Sequence, residues 1–129
     1  MSQNESRPSL WTYNGVELEL DMTAPEVIDR YENAFALMDK EIKSGPKDGK
    51  KSDIVRYYCS MIRRVFDRIF GEGTSVKLVG EQDSATTLTS CYEDFLNFVA
   101  LQNDTLMDMT NRISNRFSPN RAQRRAAKK

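Results

Sequence analysis

Catalysis needs nucleophiles, bases and charge-stabilising groups held within reach of one another, and this sequence offers few such groupings. Histidine is absent. That removes the commonest general base, the serine–histidine and cysteine–histidine nucleophile pairs, and most zinc sites. Cys59 and Cys91 each stand alone inside a helical pattern, and neither belongs to a CxxC pair. Both read as small buried residues of a protein from a reducing compartment. The run Gly71-Glu72-Gly73-Thr74-Ser75-Val76-Lys77 holds the residue types of a phosphate loop. A phosphate loop needs GxxxxGK followed by Ser or Thr, placed after a strand, so that backbone N–H groups and a lysine cradle the phosphates. Here the order differs and a helical pattern precedes, which points to a helix that stops and restarts. Carboxylates are many but scattered. Glu93 with Asp94, and Asp104 with Asp108 at i,i+4, fall on the outer side of a long helical pattern. Without histidine or a strand scaffold they describe a solvated face rather than a metal or acid–base site. The expectation is a non-enzymatic protein with no catalytic residue, metal or cofactor, whose work is binding.

Charge is the clearest polar signal. The net charge of the 129 residues is zero. Residues 111–129 nevertheless carry seven basic residues and no acid, so the body before them is acidic. The terminal run Arg121, Arg124, Arg125, Lys128 and Lys129 has three readings: phosphate contacts on nucleic acid, a solubilising terminus, or an arm that docks on an acidic protein surface. It lacks interleaved aromatics and hangs from an acidic body, which disfavours nucleic acid. No apolar run approaches the ~18 residues that span a bilayer, and the N-terminal residues do not read as a signal peptide.

The elements that must position these groups are mostly helical. In Leu10 to Leu20, Asn14-Gly15 is a hairpin turn signal, and Val16, Leu18 and Leu20 alternate with Glu17 and Glu19. A lone hairpin is marginal. Its apolar face, with Trp11 and Tyr13 nearby, must therefore pack on a helix or on another chain. Thr23-Ala24-Pro25-Glu26 reads as a capping box opening a helix over 24–43, with Val27, Tyr31, Ala34, Met38 and Ile42 as its stripe. Ser52 is the expected cap of a second helix over 53–70, with Ile54, Tyr58, Ile62, Val65 and Ile69 inward and the arginines mostly around the other side. One short helical turn, capped by Thr74, fits Gly73–Gly80.

The last helix is expected over 84–116. Leu88, Tyr92, Phe95, Val99, Gln102, Leu106, Met109 and Ile113 alternate steps of four and three, a heptad seam with one polar interruption at Gln102. At 1.5 Å per residue such a helix spans roughly 50 Å, more than the two earlier helices can cover. The stripe reads as core near its start. Its distal part, Leu106, Met109, Ile113 and Phe117, together with Trp11 of the hairpin, is the candidate partner-binding surface. The fold class expected is mainly α: a three-helix bundle with a long C-terminal helix and an N-terminal β-hairpin. It comprises a disordered N-terminus (1–9), a single domain (10–117) and a flexible basic tail (118–129).

Three stretches carry a resemblance. They are Tyr13-Asn14-Gly15-Val16-Glu17-Leu18-Glu19-Leu20, Phe66-Asp67-Arg68-Ile69-Phe70-Gly71-Glu72-Gly73-Thr74, and Ser118-Pro119-Asn120-Arg121-Ala122-Gln123-Arg124-Arg125. In this order the chain resembles, over nearly its whole length, a family of small proteins of unknown function from phages and prophages of Gram-positive bacteria. Members sit among tail genes, where tail assembly chaperones are usually found. The resemblance implies a chaperone in the cytoplasm of the bacterial host, binding phage tail proteins such as the tape measure protein, and a possible homo-oligomer. It transfers no catalytic residues. A structural virion component and a nucleic-acid-binding module using the basic tail remain the alternatives.

Overall fold

The computed structural model describes residues 9–117, with side chains described over 9–115. Of the expected termini (1–9 and 118–129), residues 1–8 and 118–129 lie outside the described residues, while the Ser9 carbonyl accepts the N–H of Leu20 at 2.7 Å. Strands β1 (Leu10–Tyr13) and β2 (Val16–Glu19) form the hairpin, followed by helices α1 (Pro25–Ser44), α2 (Lys51–Phe70), α3 (Thr74–Val79) and α4 (Ala85–Phe117). The fold is mainly α, with a two-stranded hairpin at one end of the chain and a long helix at the other.

The hairpin forms where the turn chemistry demands it. Asn14 (φ 51°) and Gly15 (φ 76°) both adopt positive φ, as a type I′ turn requires. The strands pair Trp11 with Leu18 and Tyr13 with Val16, so these four side chains share one face, while Thr12 and Glu17 share the other. The inner face packs on helices. Trp11 is only 3% exposed, stacks on Phe66 at 5.8 Å between ring centroids, and meets Phe95 at 5.1 Å. Its indole N–H donates to an Asp94 carboxylate oxygen at 2.8 Å. At the turn, Asn14 Nδ2 donates to the carbonyl of Leu78 in α3 at 2.8 Å.

Helix α2 is the centre of the bundle, touching α1, α3 and α4. Its buried positions Cys59, Ile62, Val65, Phe66 and Ile69 recur at helical spacing. Phe66 meets Phe95 of α4 edge-on at 5.5 Å. From α1, Ala34 and Met38 are buried, and Tyr31 and Phe35 reach α4 through Phe95 and Tyr92. The connection between α1 and α2 is tight at Gly45, where a Cβ would lie 2.5 Å from the Tyr57 ring. The Tyr57 hydroxyl donates to the Glu41 carbonyl at 2.8 Å, fixing that ring over the end of α1.

Several local expectations are corrected. Thr23 caps no helix: the residue before α1 is Ala24, without a side-chain cap. The Thr23 hydroxyl and N–H donate instead to Asp21, a local turn that competes with capping. Ser52 lies inside the first turn of α2, which follows an uncapped Lys50. Gly73, rather than Thr74, precedes α3, and the carboxylate of Asp67 receives the N–H of Ser75 from outside the helix at 3.0 Å. Ile42 and Tyr58, expected on inward stripes, are exposed; Ile42 lies in the last turn of α1, and the buried face of α2 turns to Cys59 beside Tyr58. Arg64 and Arg68 are not turned simply to solvent. Both reach Glu41 of α1 at 2.8 Å.

Candidate functional site

Helix α4 carries the candidate surface, and its exposure changes along its length. Leu88, Phe95, Val99 and Gln102 of the seam are buried. Leu106 and Met109 are half-buried, and Ile113 is 52% exposed. Beside the seam, Leu101 and Met107 are 68% and 61% exposed. The reason is length. Thirty-three residues extend about 50 Å, while the 20-residue helices α1 and α2 extend about 30 Å. The side chain of Phe117 and the basic residues Arg121, Arg124, Arg125, Lys128 and Lys129 lie outside the described residues.

Trp11 does not join this face. It lies in the aromatic core, ringed by Tyr13, Phe66, Phe70, Phe95 and Phe98. The alternating strand pattern placed it on an apolar face, and the tertiary structure turned that face onto α2 and α4. Of the surface residues named from sequence, the described structure brings Leu106, Met109 and Ile113 together on one helix and takes Trp11 away from them.

The boundary between covered and uncovered seam is Gln102. This residue is buried. Its Oε1 accepts the N–H of Met22 at 2.7 Å, and its Nε2 donates to the carbonyl of Leu20 at 2.6 Å. The polar interruption of the heptad therefore holds the chain where it leaves the hairpin. Just beyond it, a cavity of about 170 Å³ is lined by Ser9, Asp21, Thr23, Gln102, Thr105 and Met109. Asp21 supplies the negative charge. Hydrogen bonds from the Thr23 hydroxyl and N–H hold its carboxyl below the usual carboxylate range. This pocket escaped the sequence reading, because Asp21 and Thr105 come together only once Gln102 has docked the hairpin exit.

Other polar groups serve packing. Glu41 lies between Arg64 and Arg68; burial raises its pKa, but the hydrogen bonds and charges of the two arginines outweigh that and leave it lowered. Arg63 binds Asp83 at 2.9 Å and the Gln82 carbonyl at 2.9 Å, while its Nη1 is buried without a partner among the described residues. Cys91 is buried, and desolvation, with the nearby Asp94 charge adding to it, pushes its thiol up to about 12. Cys59 is likewise raised by burial. Both thiols therefore stay protonated at neutral pH and are poor nucleophiles.

At Gly71–Lys77 the Thr74 hydroxyl donates to the Gly71 carbonyl, and the Asp67 carboxylate already occupies the N–H of Ser75. An anion approaching there meets a carboxylate. Among the described residues no group of three or more His, Cys, Asp or Glu side chains is placed to hold a metal ion. Of the described helices, none is long and apolar enough to cross a membrane. What the arrangement offers is a helix end bearing an apolar stripe, with an acidic pocket at its edge.

Comparison with known proteins finds no match among curated proteins or solved structures. A family model does match, over residues 14–128, which takes in the hairpin turn, the helices α1 to α4 and the basic run as far as Lys128. The chain belongs to that family, a family of unknown function (DUF6673).

Proposed function

We propose that this protein is a non-enzymatic assembly chaperone of a phage tail, binding the tape measure protein or tail subunits through the distal face of α4. The observation that carries the reading is the apolar seam that continues past the elements packed on α4, ending with Ile113 half in solvent. A solvated helix end has no reason to keep heptad spacing. Full burial of such side chains is worth roughly 1.5–3 kcal/mol each, which exposure forgoes. A tape measure protein is largely amphipathic helix, and a helix laid along an apolar stripe is a familiar mode of recognition. Met107 and Met109 suit the role, since unbranched, polarizable side chains adapt to varied partners. The phage setting is supported by the three stretches that resemble tail-region proteins.

The test is co-expression of the full chain with the tape measure protein of the same tail gene cluster. Wild-type protein is expected to co-purify with it and keep it soluble. The double variant Met109→Asp with Ile113→Asp is expected to lose that capture while its helical circular dichroism survives. If the wild type captures no tail protein and the double variant simply unfolds, the stripe is ordinary core and the reading fails. Retention in purified virions would point instead to a structural component. A salt-dependent shift of DNA would point to the basic tail as a nucleic-acid contact.

A further inference from the structure

We propose that, without a client, the distal face of α4 is covered by the same face of a second copy, the two helices running antiparallel with Arg112 of each seated at the Asp21 pocket of the other. This rests on the reading of that face as a binding surface and names its resting occupant.

The seam supplies the apolar contact. Leu106, Met109 and Ile113 keep the three–four spacing of a helix that packs on another helix, and their exposure rises toward Ile113. In antiparallel register, Met109 of one copy lies opposite Leu106 of the other, Ile113 lies toward the Gln102 end of its mate, and the half-buried end of each seam covers the exposed end of the other.

Charge decides the orientation. Asp104 and Asp108 precede Arg112 on α4, and no acid follows to the end of the sequence. A parallel pair would set the basic ends side by side. An antiparallel pair lays each basic end along the acidic stretch of the other helix.

The pocket supplies the third observation. Thr105, which lines it, and Arg112 are seven residues apart, on the same flank of the seam. In an antiparallel pair like flanks face each other, whereas in a parallel pair unlike flanks do. Only the antiparallel arrangement brings Arg112 of the second copy to the pocket. Among the described residues no cation forms an ion pair with Asp21 or acid with Arg112. The cavity of about 170 Å³ admits a side-chain head and excludes a helix. Because the interface is isologous, each contact is made twice.

The experiment is analytical ultracentrifugation of the full chain without client, at low and high salt. The wild type is expected to be a dimer that weakens as salt rises, and Ile113→Asp to be a monomer. Asp21→Arg and Arg112→Asp, each reversing a charge made twice, are expected to loosen the dimer about tenfold. Combining the two restores opposite charges and should recover affinity to within about threefold of wild type. Both residues are exposed, so each variant is expected to fold, which circular dichroism checks. A wild type that is monomeric at about 100 µM, a dimer that survives Ile113→Asp, or a combined variant no tighter than either single one overturns the proposal. A monomeric wild type that still captures tail proteins sinks the dimer and leaves the proposed function standing, and a dimer that captures none does the reverse.

Discussion

Gln102 occupies a seam position where the heptad asks for an apolar side chain, yet its amide is spent on two backbone groups of the hairpin exit. That makes its replacement a test with a sign. Gln102→Leu satisfies the heptad but strips the Met22 N–H and the Leu20 carbonyl of their side-chain partner. Each buried group left unpaired costs about 1–3 kcal/mol, so the variant should unfold at lower urea than wild type. A raised midpoint would mean that the seam gains more from a leucine than the exit loses. Around Trp11 the same scale is governed by packing. Ile62, Phe66 and Phe95 lie in the core where α2 meets α4. Truncating any one to alanine should cost about 2–5 kcal/mol in chemical denaturation. Wild-type stability in two of the three would place the α2–α4 contact elsewhere.

Between elements, the Glu41–Arg64–Arg68 group joins α1 to α2, with Arg30 of α1 donating to the Ile69 carbonyl at 2.8 Å as a second tie. The folded-state pKa of Glu41 lies below its ordinary value of 4.5. A carboxyl so depressed contributes stability that is fully present above the unfolded value and lost as pH falls through the folded one. The acid limb of the stability profile should therefore steepen below about pH 4.5, from this group among others. Glu41→Gln should be less stable at neutral pH, and its profile flatter on the acid side. Parallel acid limbs in variant and wild type would show that Glu41 titrates alike in both states. Removing one partner from a half-buried charge group leaves two guanidinium groups facing each other, so the loss at neutral pH should be about 1–3 kcal/mol.

At the scale of the molecule, the described residues form a continuous core. Among the described residues, every member of the buried cluster lies between Trp11 and Val99. Removing 118–129 takes away Arg121, Arg124, Arg125, Lys128 and Lys129 and moves the net charge from zero to −5. The melting temperature of the truncated chain should stay within about 2 °C of wild type, since the deleted sequence is polar and has no apolar period to bury. A larger drop would show that the basic run docks on the acidic body. The same truncation bears on binding. If capture of a tail protein survives it, α4 rather than the basic run holds the client.

The sequence by itself determined the elements. Asn14-Gly15 imposes a hairpin because few residue pairs accept two positive φ values in succession. The periods of α2 and α4 impose amphipathic helices, because apolar residues one turn apart must share a face. It also made the surplus length of α4 visible, since helix length is proportional to residue count. Local competition and distant contact were beyond it. Thr23 could cap α1 or bond to Asp21, and the two options differ by less than a sequence pattern can resolve. Trp11 looked equally fit for a surface or a core, because alternation says that a face is apolar and not what will cover it. Gln102 looked like a defect in the seam until the hairpin exit, 80 residues away in sequence, supplied its partners. Only the tertiary structure decides such matters, because the hydrogen bonds that satisfy a buried side chain come from whichever backbone the fold brings beside it.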